Sequence, residues 1–298
     1  MDERDWLTAR FESHRSHLRG VAYRLLGSVS EADDALQEAW WRIQGHVPGD
    51  VENMQAWLTT VVGRVCLNML RSRRHSKTSG EAHVPDPFVV LDGMTDPDHL
   101  VLVADSVGLA LQVVLDSLNP PERLAFVLHD VFGVPFAEIA RVLDRSEAAT
   151  QQLASRARRR VRGLPEPDPD LERQRAVVDA FFAASRDGNF EALLEILDPD
   201  VELRIDGGVL RKESSLALRG AVAVASHTAT YTKWYPFVRP ALVNGAAGAV
   251  VASDRGVLSV MAFTVTNGRI VHIDALRDPD RLERITTWRP EEHERGSR

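Results

Sequence analysis

The chain reads as a multidomain protein, an all-α first half followed by an α+β final third with a curved antiparallel sheet. Three observations predict this. From residue 4 to about 163 apolar residues recur mostly at helical spacing. The run Leu164-Pro-Glu-Pro-Asp-Pro-Asp170 then sets three prolines in seven residues, the mark of a stiff, extended connector. Beyond it Val201, Leu203 and Ile205 alternate with polar residues, 247–252 and 256–265 are rich in β-formers, and Thr266-Asn-Gly-Arg269 announces a hairpin into a strand at 270–275.

At 298 residues the chain is long enough for two or three cores. Its one cysteine, Cys66, excludes an internal disulfide and a thiolate zinc cluster, and the histidines show no ligand spacing, so no metal and no cofactor is expected. No apolar run reaches membrane-spanning length and the N-terminus is charged from the start, which predicts a cytoplasmic protein with no membrane partner. The net charge of -7 argues against nucleic acid only if charge is spread evenly. It is segregated: 81–104 holds five acids and no base, 71–77 four basic residues, and 156–162 five arginines. Fields act over about 10 Å at moderate salt, so these clusters matter more than the total.

Within 1–75, Ser30 to Ile43 opens with a capping-box-like signal and buries Leu36, Ala39, Trp40 and Ile43. Asp34, Gln37, Glu38 and Trp41 fall on another face, suited to docking on a basic protein helix. A turn-rich loop, 48–54, carries Asp50 and Asn53 and precedes a helix over 56–74. There Leu58, Val61, Val62, Val65 and Met69 face a core, Arg64, Asn68 and Arg71 share a second face, and Arg73 and Arg74 extend the charge. A polar loop beside a basic helix suits a single strand with an extruded base.

Residues 76–104 read as an acidic, Pro-containing linker and 105–163 as helical again. Phe136, Ile139, Ala140 and Leu143 form one helical stripe, 144–147 a turn, and Ser146 the cap of a second helix whose apolar face is Ala149, Leu153, Ala157 and Val161. Gln151, Gln152, Ser155, Arg156, Arg158, Arg159 and Arg162 occupy its other faces. Amides pair with adenine and guanidinium groups with guanine or phosphate, so this helix has a major-groove reader's chemistry. A solvated helical hairpin shares the pattern, yet no acid interrupts 148–165.

Ala32-Asp-Asp-Ala-Leu-Gln-Glu38, Gln55-Ala-Trp-Leu58 and Leu118-Asn-Pro-Pro-Glu-Arg123 before the helix-turn-helix resemble bacterial sigma factors of the extracytoplasmic-function (ECF) group. The first two match region 2 and the last region 4. The final third resembles the SnoaL-like α+β cone carried by one subgroup, whose connector, Asp-Gly-Gly-Gly and Asn-Pro-Asp-Lys-Leu motifs appear as Gly163-Leu-Pro-Glu-Pro167, Asp206-Gly-Gly-Val209 and Asp278-Pro-Asp-Arg-Leu282.

The resemblance implies two all-α sigma domains, a region 2 bundle over 1–75 and region 4 over 105–163, with the helix-turn-helix at 136–162. A connector at 164–170, a regulatory cone at 171–288 and a tail at 289–298 follow. It implies that Asp34, Gln37, Glu38 and Trp41 bind the clamp coiled coil of core RNA polymerase, whose flap supports region 4. Asp50, Asn53, Arg64, Asn68, Arg71, Arg73 and Arg74 would bind the -10 element, and Gln151, Gln152, Ser155, Arg156, Arg158, Arg159 and Arg162 the -35 element. Leu164, Pro165, Glu166, Pro167, Asp206, Gly207, Gly208, Asp278, Pro279, Asp280, Arg281 and Leu282 would serve interdomain regulation in cis, so that no separate anti-sigma factor is required. Gln151 stands where related helices often carry a base, and the third glycine of the second motif is Val209.

The cone leaves room for a small-molecule ligand. Were it an enzyme, the candidate bases would be Asp206, His227, Asp254, His272 and Asp274, with Tyr231, Trp234 and Phe263 as walls; no catalytic residue is assigned. Two other readings share the pattern, a ligand-responsive repressor and a cyclase or isomerase fused to a DNA-binding module.

Overall fold

The computed structural model describes residues 3–44, 53–73, 83–91, 109–163, 165–208, 213–254 and 256–285. The chain divides into two compact units, one of Met1–Thr78, Pro97–Ser106 and Val114–Leu164, the other of Ser79–Asp96, Val107–Val113 and Pro165–Arg298. Among the described residues no helix is long and apolar enough to cross a membrane.

The first unit opens with α1 (Glu3–Leu26), α2 (Val29–Ile43) and α3 (Met54–Arg73). Leu18, Val21 and Leu25 of α1 are buried with Leu36, Ala39 and Ile43 of α2 and Leu58, Val62 and Val65 of α3. Cys66 is buried beside them, and burial pushes its thiol up to about 12, so it acts as a small apolar group. α4 (Leu109–Ser117) belongs to the second unit up to Val113 and to the first from Val114. After it Asn119 caps α5 (Pro120–Phe126) by accepting Glu122 N–H at 3.1 Å, with Pro120 where no N–H is needed. α5 runs on into a π-turn at Val127–Val131. A Cβ on Gly63 of α3 would lie 3.1 Å from Leu128, so glycine lets the two helices meet closely.

Arg123, 2% exposed, fastens this packing. It donates to Asp116 Oδ1 at 2.7 Å and twice to the Arg24 carbonyl of α1, at 3.0 and 3.2 Å. The unit ends with α6 (Phe136–Leu143) and α7 (Glu147–Val161).

In the second unit α8 (Leu171–Arg186) and α9 (Phe190–Ile196) precede β2 (Leu197–Asp206), β3 (Leu216–Arg219), α10 (Ala221–Thr228) and a 3-10 stretch, Ala229–Phe237. Then come β4 (Val238–Val243), β5 (Ala246–Ser253), β6 (Gly256–Thr266), β7 (Arg269–Leu276) and α11 (Pro279–Ile285). With β1 at Val89–Leu91, the seven-stranded sheet runs β1-β4-β5-β6-β7-β2-β3. Its pairs are antiparallel except β2 with β7, which correct the antiparallel expectation. β2 enters from a helix rather than a hairpin, so nothing forces it to reverse direction against β7.

Both faces of the sheet are buried. Leu203, Ile205, Phe263 and Ile273 pack with Val178, Phe181 and Leu193 on one side. Val243, Val250, Val260 and Leu276 pack with Val84, Leu91, Leu109 and Leu282 on the other.

The strand β1 (Val89–Leu91) comes from the stretch that sequence assigns to the 76–104 linker. It pairs antiparallel with β4, Val89 opposite Val243 and Leu91 opposite Ala241. Phe88 N–H donates to Asn244 Oδ1, and Asn244 N–H returns a bond to the Phe88 carbonyl, both at 2.8 Å. Pro85, Pro87 and the acids nearby mask so short a strand. Pro240 hides β4 in the same way, yet among the described residues it sits one position past the last β1–β4 pair, Leu91 with Ala241.

Candidate nucleic-acid interface

Between α6 and α7 the turn is built from local chemistry. Asp144 takes the left-handed conformation, φ 55°, and closes α6 through its N–H to the Ala140 carbonyl. Ser146 Oγ accepts Ala149 N–H at 3.2 Å and caps α7, as its position predicts. The buried stripe of α7 is Thr150, Ala154 and Ala157, with Ala149, Leu153 and Val161 half-buried, so the inner face is rotated by about one residue from the predicted one. Gln151, Gln152, Ser155, Arg156, Arg159 and Arg162 are exposed. Arg158 is placed differently: it is half-buried, its Nε donates to Asp130 at 2.6 Å, and its guanidinium lies 6.0 Å from the Phe136 ring. A guanidinium so engaged positions the helix instead of reaching outward.

On α3, Arg64, Asn68 and Arg71 are exposed on one face. Arg64 also donates to the Arg141 carbonyl of α6 at 3.2 Å. Asn53 has a structural task besides the expected one, capping α3 by accepting Ala56 N–H at 3.0 Å. Arg73 ends α3, but its side chain lies outside the described residues, as do Asp50 and Arg74. Asp34, Gln37, Glu38 and Trp41 are exposed along α2, Trp41 at 65%.

The two altered motifs of the second unit meet in a polar clasp. Arg281 donates to Asp86 Oδ1 at 2.5 Å, to Asp206 Oδ2 at 2.8 Å and to the Val84 carbonyl at 2.5 Å. Asp206 also accepts Val84 N–H at 3.0 Å and Gly208 N–H at 3.0 Å, and faces His83 at 3.1 Å. Burial raises its carboxyl, but these bonds and the Arg281 charge overcome that and hold it well below the usual range. Gly208, at φ +84°, is required, because a Cβ there would collide with the Asp278 carboxylate. Asp278 in turn caps α11 through Asp280 and Arg281 N–H, and Leu282 is buried. Gly207 N–H donates to Ser215 Oγ; Val209 lies outside the described residues.

In the connector, Asp168, which sequence does not single out, accepts Asn267 and Gly268 N–H at 2.9 and 3.0 Å and holds the β6–β7 turn. Glu166 accepts Thr266 Oγ1 through its carbonyl, Pro165 and Pro167 flank it, and Leu164 lies outside the described residues.

The five candidate bases do not converge. His227 lines the cone's cavity. Asp206 belongs to the clasp, and Asp254 is exposed in a turn. His272 and Asp274 cluster with Arg204 and Glu202, Arg204 lying 3.4 Å from Asp274 and 2.7 Å from Glu202. Of the walls, Phe263 is core, edge-on to Phe181 and Phe182, while the Tyr231 and Trp234 side chains are outside the described residues.

Burial raises the Asp274 carboxyl to about 6 against the pull of Arg204, with Glu202 adding repulsion. A carboxyl raised in the folded state binds more protons folded than unfolded. Stability therefore falls as pH rises from about 4 to 6, by roughly 3 kcal/mol, and stays reduced above. Asp274→Asn is expected to raise the thermal midpoint at pH 7.5 and to lose that gain near pH 4, which melting curves at the two pH values check.

A profile described as "Sigma-70 region 2" matches residues 10–76, and "Sigma-70, region 4" matches 108–161. The chain is 39% identical over 293 residues to the ECF RNA polymerase sigma factor SigJ of Mycobacterium tuberculosis, covering 92% of each. It is 31% identical over 296 residues to the probable ECF RNA polymerase sigma factor SigI of that species, covering 95% of this chain and 97% of the relative. The crystal structure of the M. tuberculosis SigJ matches with a TM-score of 0.75 at 36% identity, covering 93% of this chain and 98% of that one. With both sigma regions in order and a full-length match that includes the α+β extension, the chain belongs to the ECF RNA polymerase sigma factors.

Proposed function

We propose that this alternative sigma factor recruits core polymerase through Asp34, Gln37, Glu38 and Trp41, and reads the -35 element with α7. The -10 element meets Asn53, Arg64, Asn68 and Arg71 with the neighbouring Asp50, Arg73 and Arg74. The observation that carries this reading is the outward row of Gln151, Gln152, Ser155, Arg156, Arg159 and Arg162 on a capped second helix. The α+β extension regulates these regions in cis, in the cytoplasm, without a separate anti-sigma protein and without catalysis. The scatter of its titratable groups supports the last point: of the five candidate bases only His227 lines the cavity, and the acid in that lining, Glu283, is exposed on α11.

The bonds from Arg123 to Arg24 and from Arg64 to Arg141 hold α1 and α3 against the region 4 helices. Two regions so fastened are set for one compact state, and polymerase, binding the separated state better, shifts the population toward it.

Run-off transcription with purified core polymerase tests the reading. Asp34→Lys with Glu38→Lys is expected to abolish both the promoter-dependent transcript and core binding while leaving DNA binding intact. Unchanged transcription by this variant sinks the proposal. Arg156→Ala and Arg159→Ala are each expected to weaken binding and to reduce the slope of log affinity against log salt by about one, as loss of one phosphate contact requires. DNA titrations at several salt concentrations read that slope directly.

A further inference from the structure

The second unit encloses a cavity of about 670 Å³, lined by α8, α10, the sheet and α11. That lies within the roughly 300–1,000 Å³ of sites that take drug-sized molecules. Phe182, Leu203, Ile205, Val251, Met261 and Ile273 give it an apolar wall. Against this wall stand His227 and Arg277, close enough that the arginine's charge, after burial, lowers the histidine's affinity for a proton. Glu283 is the acid in the lining and is itself exposed, on α11.

We propose that the cavity binds an apolar, ring-bearing molecule with one anionic oxygen group, seated with that group at Arg277 and His227, and that occupancy acts on the clasp. A guanidinium and a neutral imidazole both donate, which is what an anionic oxygen in an apolar pocket requires. The route to the clasp is short. Arg277 N–H donates to the Asp206 carbonyl at 2.7 Å. Pro279 and Leu282 line the cavity while Arg281, between them, grips Asp206, Asp86 and Val84. A molecule that shifts α11 therefore shifts the hold on residues 83–86. Its consequence for transcription rests on the cis-regulatory reading, but binding does not, so the test uses no polymerase.

Full-length protein is titrated with 1-anilinonaphthalene-8-sulfonate and with the uncharged N-phenyl-1-naphthylamine. Both are expected to bind saturably at one site. Arg277→Gln weakens the sulfonate about tenfold, as loss of a charge-assisted bond implies, and leaves the neutral dye unchanged. Met261→Trp fills the cavity and removes both, with Leu203→Trp in its place should Met261→Trp melt early. Saturation with the sulfonate alters amide exchange in 83–91. No saturable binding to the unaltered protein, or binding undiminished in a folded cavity-filled variant, overturns the site. Equal weakening of both dyes by Arg277→Gln overturns the anion's place, and unchanged exchange overturns the link to the clasp.

Discussion

Arg281→Ala is expected to free residues 83–91 from the sheet. The arginine holds three acceptors, and its removal takes the guanidinium away from Asp86 and Asp206, whose side chains are only 15% and 8% exposed. Breaking a buried pair from one side costs about 3–5 kcal/mol, mostly because the abandoned charge stays out of water. Hydrogen exchange at Val84 and 89–91 should therefore rise by at least two orders of magnitude, since each 1.4 kcal/mol is a factor of about ten. Arg281→Lys keeps the charge but lacks the fork for three acceptors and should fall between.

Asp206→Asn in the Arg281→Ala background should recover part of the loss, because it removes the stranded charge. No recovery would mean that the two residues act separately. Acid should mimic the lesion. A carboxyl held below its unfolded value stabilises the fold above about pH 4, and that contribution is lost as pH falls further.

Arg123→Ala should be as damaging in the first unit. Asp116 and the Arg24 carbonyl would both lose their donor in a site where Arg123 itself is 2% exposed. A loss of about 3–5 kcal/mol is expected, or of order 10 °C in midpoint for a unit of this size. Arg123→Met keeps the volume but takes the guanidinium away from Asp116, so Arg123→Met with Asp116→Leu should recover more than Arg123→Met alone. Calorimetry of the parent, Arg123→Met, Asp116→Leu and the double variant closes the cycle. If Arg123→Ala melts like the parent, the fastening between α1 and α5 is not what holds the helices.

Local signals carried most of what sequence revealed. The helix-turn-helix was legible because Ser146, Asp144 and the 136–143 stripe act within a few residues of one another. The exposure of Trp41, Gln152 and Arg156 followed from helical period. The engagement of Arg158 was not legible, since Asp130 lies 28 residues upstream and no period links them. Nor was the triple grip of Arg281, whose partners Asp86 and Val84 lie 195 and 197 residues away. The polarity of Asn53 suits a strand contact, and its place before a helix fits a cap as well. Arg158 and Arg281 are polar side chains whose tasks are set by tertiary neighbours.

The outermost strand of the extension is made long before its partner. Leu91 pairs with Ala241 across about 150 residues of chain, which at bacterial synthesis speeds means roughly ten to thirty seconds on the ribosome. Throughout that interval Val89-Val-Leu91 waits as a β-prone apolar segment, the kind that invites association with other nascent chains. The acids around it, Glu81, Asp86, Asp92, Asp96 and Asp98, repel such company until the sheet arrives. Cutting the gene at the proline connector would make that wait permanent for one fragment and leave the other with an unsealed sheet edge.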